Sequence, residues 1–204
     1  MNNWCRTAAS SWERRLTAAG IGGALAERLA RFLVILGEWQ GATNLIGRVS
    51  VETLLRDHVL ESLAGVPFLP STGRLLDAGS GNGFPAVPLL LARPGLTGVL
   101  LEPRERRWAF LKEVLRELGV AAEVRRDRVA DHLGCHDAFT ARALAAEVWA
   151  PVAGRLVRPG GTVLFWAGPG PESTPTLGGF EPVLTSALPD PRRGVLAVWR
   201  RCST

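Results

Sequence analysis

Residues 74–83 read Arg-Leu-Leu-Asp-Ala-Gly-Ser-Gly-Asn-Gly: an apolar stretch, an acid, then three glycines at alternate positions. The apolar run suits a buried strand, and glycines free the backbone to turn sharply at its end. Gly79, Gly81 and Gly83 are spaced G-x-G-x-G. A dinucleotide fingerprint would place a third Gly or Ala at position 84, which is Phe84 here, and no Lys-Ser/Thr pair follows to make a phosphate loop. Asp77, just before the glycines, would repel a pyrophosphate lying on the turn. It suits a ligand carrying an ammonium or sulfonium charge, and S-adenosylmethionine carries both.

From Arg74 onward the chain alternates strand and helix patterns. Strands are expected at 74–78, 97–101, 121–125, 137–141 and 161–166, with helices over about 84–92, 104–118 and 144–156. Such alternation implies a parallel sheet covered on both faces. Pro85 and Pro88 fall near the start of the first of these helices, where a missing N–H costs least. The tail differs. Residues 180–187 and 194–200 read as strands around a Pro-Asp-Pro-Arg-Arg-Gly turn, too close for a crossover helix, so an antiparallel hairpin at one edge is expected.

Before Arg74 the pattern is helical. One helix is expected from about Ser11 to Ala19, after possible serine N-caps. A second spans about Gly23 to Gln40, with Leu25, Leu29, Phe32, Leu33 and Leu36 at helical spacing. After a break at 41–44, a third runs from Val51 to Leu63, and Pro67 and Pro70 mark its boundary. The expected organisation is a helical extension over 1–70 and a sheet-containing unit over 71–204.

Composition narrows the class. A chain of 204 residues with 47% hydrophobic residues and near-neutral mean hydropathy can bury a substantial core. Its apolar stretches are broken by Arg, Gly or Pro well short of membrane-spanning length, and Met1–Arg6 lacks an apolar signal region, so a cytoplasmic protein away from membranes is expected. Cys5, Cys135 and Cys202 are too scattered for a disulfide framework or a metal knuckle. No metal is expected, since His58, His132 and His136 show no ligand spacing. The net charge of +5 permits a polyanionic partner without requiring one. Lys112 is the only lysine, and so strong a preference for Arg also arises from a GC-rich genome.

In an open α/β sheet, ligands sit at the carboxyl ends of strands near the topological switch point. The first such end offers Asp77 and the glycines. The second offers Glu102, about 20 residues beyond them, where a carboxylate accepts from ribose hydroxyls; pairing with Arg104, Arg106 or Arg107 is the alternative. Near the third lies Arg128-Val-Ala-Asp131, where backbone amides can meet an adenine edge while Val129 packs on its face. The fourth offers Asp137-Ala-Phe-Thr-Ala-Arg142. It carries neither the Asn/Asp-Pro-Pro-Tyr/Phe of exocyclic-amine methylation nor a Pro-Cys nucleophile. Guanine N7 has a lone pair and no proton to lose, so alkylating it needs no general base and orientation supplies most of the rate. Arg142 then reads as an orienter of substrate or cofactor, with a plain ion pair at a strand end as the alternative. Trp12, Trp39, Trp108, Trp149 and Trp166 read as core residues.

These segments together resemble the bacterial 16S rRNA guanine-N7 methyltransferase family RsmG, also known as GidB. Trp39-Gln-Gly-Ala-Thr-Asn44-Leu45-Ile46 and His58-Val-Leu-Glu61-Ser62 look like its W-N-x-x-x-N-L-T and H-[IL]-x-D-S segments. Asp77-Ala-Gly-Ser-Gly-Asn-Gly-Phe84-Pro85-Ala-Val-Pro88 is similar to its D-x-G-[ST]-G-x-G-[LF]-P-G-[IL]-P. Leu101-Glu102 with Arg106-Arg107-Trp-Ala-Phe110-Leu111, and Ala141-Arg142-Ala143, resemble two further segments. The resemblance implies a Rossmann-like class I methyltransferase: a mostly parallel twisted sheet using S-adenosylmethionine. It implies 16S rRNA or the small ribosomal subunit as partner and 7-methylguanosine as product. It places Gly79, Phe84, Val129, Ala130 and Arg142 on the cofactor, with Glu102 near its ribose. A monomer is expected. The chain departs from the family pattern at Ala130, usually an acid, at Ala167-Gly168, usually Lys-Gly, and at Arg106, usually Lys. A small-molecule methyltransferase on the same fold and a non-catalytic ribosome-assembly protein are the alternatives.

Overall fold

The computed structural model describes residues 2–168, 174–188 and 194–203. Gly73–Ala78 (β1), Leu96–Leu101 (β2), Ala122–Arg125 (β3), His136–Arg142 (β4) and Val157–Ala167 (β5) form the parallel part of one sheet, completed by Phe180–Ala187 (β6) and Val195–Arg201 (β7). The order is β3-β2-β1-β4-β5-β7-β6. β7 lies between β5 and β6 and is antiparallel to both, so β6 is the edge strand. The edge pairing is as expected; of its turn, 189–193 lie outside the described residues. β5 starts earlier than its apolar run, because Val157 pairs with His136 across a register shift before Ala138 meets Thr162.

The N-terminal residues build a helical cap: a 3-10 turn at Asn3–Arg6, then Ala9–Ala18 (α1) and Gly23–Thr43 (α2). Val51–Leu54 (α3), a π-helical turn at Leu55–Leu60 and Glu61–Leu63 (α4) follow as one run. Three expectations are corrected here. Ser10 and Ser11 lie inside α1, which starts after Ala8 without a side-chain cap. α2 passes through Gly41 and ends at Asn44, whose left-handed φ of 47° stops it. Its last turn is held by Gln40, whose side-chain amide donates to the Ile46 carbonyl and accepts from the Ile46 amide. The third helix is π-helical in its middle, a geometry that concentrates at functional sites.

Ala86–Ala92 (α5), Glu105–Leu118 (α6) and Ala146–Leu156 (α7) are the crossover helices. Parallel crossovers are right-handed, so reversing strand order at β1/β4 puts α5 and α6 on one face and α7 on the other. Side chains confirm it through the period-2 alternation of strands. Leu75, Leu100, Ala138 and Leu164 join Phe32, Trp12, Leu89 and Phe110 in a core between sheet, cap, α5 and α6. Leu76, Val99, Phe139 and Val163 join Trp149 of α7 and Trp199 in a second core opposite.

Candidate functional site at the strand ends

Continuing that alternation gathers the polar residues. Asp77 stands two residues beyond Leu75, Glu102 two beyond Leu100, and Thr140 and Arg142 two and four beyond Ala138. All therefore project toward the helical cap, at the carboxyl ends of β1, β2 and β4. Trp166, two beyond Leu164, joins the same core. Of the four strand ends named from sequence, the sheet puts those of β1, β2 and β4 on one face beside the switch point, while β3 lies on the far side of β2.

The glycine turn needs its glycines. Gly79, Gly81 and Gly83 have φ of +73°, +49° and +88°, a region that costs other residues roughly 1–2 kcal/mol each. Ser80 donates its amide to the Leu101 carbonyl at 2.9 Å, locking the turn to β2. Gly81 donates to Glu102 Oε2 at 3.0 Å, and the Arg104 amide donates to Glu102 Oε1 at 2.8 Å. Among the described residues Glu102 makes no ion pair with Arg104, Arg106 or Arg107, so the arginine-pairing alternative is not what holds it. It is a buried carboxylate satisfied by backbone amides, with lone pairs left for two further donors.

Asp77 is 1% exposed. Thr140 Oγ1, in register with it across β1 and β4, donates to Asp77 Oδ1 at 2.6 Å. Asp77 Oδ2 is buried without a hydrogen-bond partner among the described residues. Burial, aided by the neighbouring Glu102 charge, raises this carboxyl from its ordinary 3.8 to about 6 against the pull of the Ser80 and Thr140 hydroxyls. A buried, half-satisfied carboxylate beside a glycine turn fits a cationic ligand. The S-adenosylmethionine expectation passes this test: two carboxylates, one with an orphan oxygen, and a backbone without side chains at Gly79 and Gly81.

The Phe84 ring is buried between Phe32 and His58, with centroids 5.1 and 5.2 Å away, so it staples the turn to the helical cap. Only its backbone is left to face a ligand. Val129 is buried and Ala130 exposed in the turn after β3. Arg155 of α7 donates to the carbonyls of Ala130 and His132, pinning that turn. The Asp131 amide is already bonded to the Arg128 carbonyl.

Arg142 is paired across 2.5 Å with Glu61 of the cap and also donates to the Asp57 carbonyl in the π-helical turn. Glu61 is buried, and its own carbonyl accepts from Trp166 Nε1 at 2.7 Å. A cavity of about 290 Å³ opens there, lined by Glu61, Arg142, Ala143, Trp166, Ala167 and Gly168, among others. It adjoins the glycine turn: a Cβ built on Gly79 would meet Leu144, the next residue after Ala143, at 3.7 Å. A larger depression between Asn2–Arg6 and the end of α2 touches none of these groups. Sequence reasoning missed Thr140, which looks like any strand threonine, and saw Glu61 only inside a motif.

Among the described residues no helix is long and apolar enough to cross a membrane. The fold is shared with solved methyltransferases. These include the ribosomal protein L11 methylase from Lactobacillus delbrueckii (TM-score 0.58, 16% identity, 69% of this chain and 77% of that one). They also include an RNA methyltransferase from Salinibacter ruber in complex with S-adenosyl-L-homocysteine (TM-score 0.54, 20% identity, 72% and 91%). Two proteins named ribosomal RNA small subunit methyltransferase G are closer in sequence. The one from Stenotrophomonas maltophilia strain K279a is 38% identical over 167 residues, 78% of this chain and 77% of its own. The one from Xanthomonas euvesicatoria is 39% identical over 162 residues, 76% and 75%. The family described as rRNA small subunit methyltransferase G matches residues 25–174, a span that holds the glycine turn, Glu102, the anchored Arg142 and the cap that anchors it. This chain belongs to that family, GidB.

Proposed function

We propose that the protein transfers a methyl group from S-adenosylmethionine to N7 of a guanine in 16S rRNA of the small ribosomal subunit. The observation that carries the acceptor is the end of β4, which presents an arginine and no nucleophile, and where the neighbouring carboxylate, Glu61, is ion-paired with that arginine. An acceptor with a lone pair and no proton to lose needs nothing else there.

When bound, the cofactor supplies an electrophilic methyl on a sulfonium centre. Gly79, Gly81 and Gly83 let the backbone approach it, the Asp77 carboxylate matches its positive charge, and Glu102 accepts from its ribose. Val129 packs on the adenine, with Ala130 and the backbone of Phe84 at its edges. Arg142 orients substrate against cofactor without moving a proton. No metal takes part. The division into a helical extension (1–70) and a catalytic unit (71–204) follows from these roles. The cap supplies Glu61 and the anchor of Arg142, and the sheet supplies the cofactor site. Action on ribosomal RNA implies a cytoplasmic enzyme, and one chain carrying every group named here suffices as a monomer.

The test is transfer of label from S-adenosylmethionine to small subunits lacking the modification, followed by digestion. Labelled 7-methylguanosine is expected; label in another nucleoside contradicts the acceptor, and binding of cofactor without labelled RNA contradicts the substrate.

A further inference from the structure

We propose that Arg107 couples the two ligands of this site: in the free protein its guanidinium lies over the glycine turn, and cofactor binding drives it outward to a phosphate of the RNA backbone. This rests on the RNA reading above. The observation that carries it is at Gly81. A Cβ built there would meet Arg107 Nη1 at 3.4 Å, the Gly79 carbonyl at 3.6 Å and Glu102 Oε2 at 3.9 Å. The space in front of the turn, which the glycines leave to S-adenosylmethionine, is therefore partly filled by a cation. That cation is loosely held. Arg107 is half-buried, and its side chain makes no ion pair and no hydrogen bond among the described residues.

The charge of Glu102 draws the guanidinium toward the turn, but its oxygens bond the Gly81 and Arg104 amides instead. A cofactor whose ribose takes the remaining lone pairs of Glu102 needs the ground on which Arg107 stands, and its sulfonium repels a guanidinium as well. The two cannot share the turn. An arginine with no bond to break moves out readily, since a side chain in contact with water changes rotamer within nanoseconds. Its surroundings are basic. Arg104 and Arg106, on the same first turn of α6, are exposed, and their side chains are likewise unpaired among the described residues. The exposed acid of that turn, Glu105, is faced by Arg126 at 3.9 Å. In the adjoining turn after β3, Arg125 is paired with Asp127 at 2.9 Å, and the charges of Arg128 and Asp131 offset. The surplus guanidinium groups at the mouth of the site suit the phosphates of RNA, which accept from arginine in bidentate fashion. A phosphate that holds Arg107 outward clears the turn for the cofactor, so each ligand tightens the other by the same factor.

The test is binding of small subunits from a strain lacking the modification, with and without S-adenosylhomocysteine, which fills the cofactor site but has no sulfonium charge and no methyl to transfer. Wild-type protein is expected to bind the particle about fivefold or more tightly when the site is filled. The slope of log affinity against log salt should then be steeper by about one, the mark of one more phosphate contact. Arg107→Gln is expected to lose both responses, and to bind S-adenosylhomocysteine by itself at least as tightly as the wild type, which also shows that the variant is folded. Arg106→Gln separates this from a plain loss of charge: it should weaken binding equally in both states and keep the fivefold response. A wild-type affinity and salt slope that ignore the cofactor, or a response that survives in Arg107→Gln, would overturn the proposal. If wild-type protein binds no small subunits in either state, the RNA reading itself fails, and the proposal with it.

Discussion

Thr140 and Asp77 face each other in register across the β1–β4 boundary, with the threonine hydroxyl 2.6 Å from one carboxylate oxygen and the other oxygen left without a partner. This is the seam where strand order reverses, and sheets of this kind bind ligands at such a seam. The protein holds there a carboxylate that is costly to ionise until a cation arrives.

Asp77→Asn is expected to show that cost. The carboxyl rises from 3.8 to about 6 on folding, so the native state holds its proton more tightly than the unfolded chain does. Stability from this group is full below pH 4 and is lost as pH rises through about 6. The loss reaches about 3 kcal/mol, since each tenfold change in proton affinity corresponds to about 1.4 kcal/mol. Thermal unfolding without cofactor should therefore show Asp77→Asn near the wild type at pH 4 and clearly more stable at pH 8. Calorimetric titration should show the same variant binding S-adenosylmethionine at least tenfold more weakly at pH 8. In the wild type, affinity should decline as pH falls below 6.

Glu102→Ala leaves the buried amide of Gly81 without its acceptor and also releases the amide of Arg104. A loss of about 1–3 kcal/mol in folding stability is expected from the orphaned donor, together with a cofactor affinity at least tenfold lower. Denaturant unfolding and calorimetry read the two effects separately. Unchanged cofactor affinity would remove Glu102 from the ribose site.

Gly65 and Gly154 make a paired test of packing. Gly65→Ala drives a Cβ to 2.8 Å from the Trp166 ring and 2.9 Å from Leu164, and overpacking of this kind costs about 1–3 kcal/mol. Gly154→Ala, inside α7 with open space around it, should add up to about 1 kcal/mol through helix propensity. Midpoints of denaturant unfolding should move in opposite directions. Only Gly65→Ala should also slow methyl transfer, because it displaces the indole that holds Glu61.

Most of the sheet was legible because strands alternate and glycines punctuate. The ends of β1, β2 and β4 fall within a residue of their expected positions. The long β5 was not, because its Pro159-Gly160-Gly161 start reads as a turn and is drawn into the sheet only by pairing with β4. The π-helical turn was hidden for another reason. Leu54, Leu55, Val59 and Leu60 satisfy an ordinary helical period, and one extra residue in a turn leaves no local mark. Asp77, the glycines and Glu102 could be named because a short stretch of sequence sets their spacing. Thr140 could not be paired with Asp77 nor Glu61 with Arg142, since those contacts span 63 and 81 residues. Phe84 shows the opposite limit: the motif marks the residue, but not that its ring packs on Phe32 and His58 and leaves its backbone toward the turn.

An RNA partner also predicts a salt response. With 24 Arg and Lys against 19 Asp and Glu, binding to small subunits should weaken steeply between about 50 and 200 mM salt, as counterion release requires. Because Asp77 and Glu102, the carboxylates we place at S-adenosylmethionine, are buried, its affinity should respond far less over the same range. Filter binding and calorimetry across a salt series measure the contrast.

On the proposed reading, this site alkylates a base nitrogen without a proton acceptor. The most direct test is the rate of methyl transfer to unmodified small subunits as a function of pH, with the digested RNA resolved by mass spectrometry. The expected product is 7-methylguanosine. The expected single-turnover rate at saturating cofactor is flat from pH 7 to 9, because no group must lose a proton for N7 to react. A rate rising tenfold per pH unit across that range, or a methyl group found on an exocyclic amine, would contradict that reading.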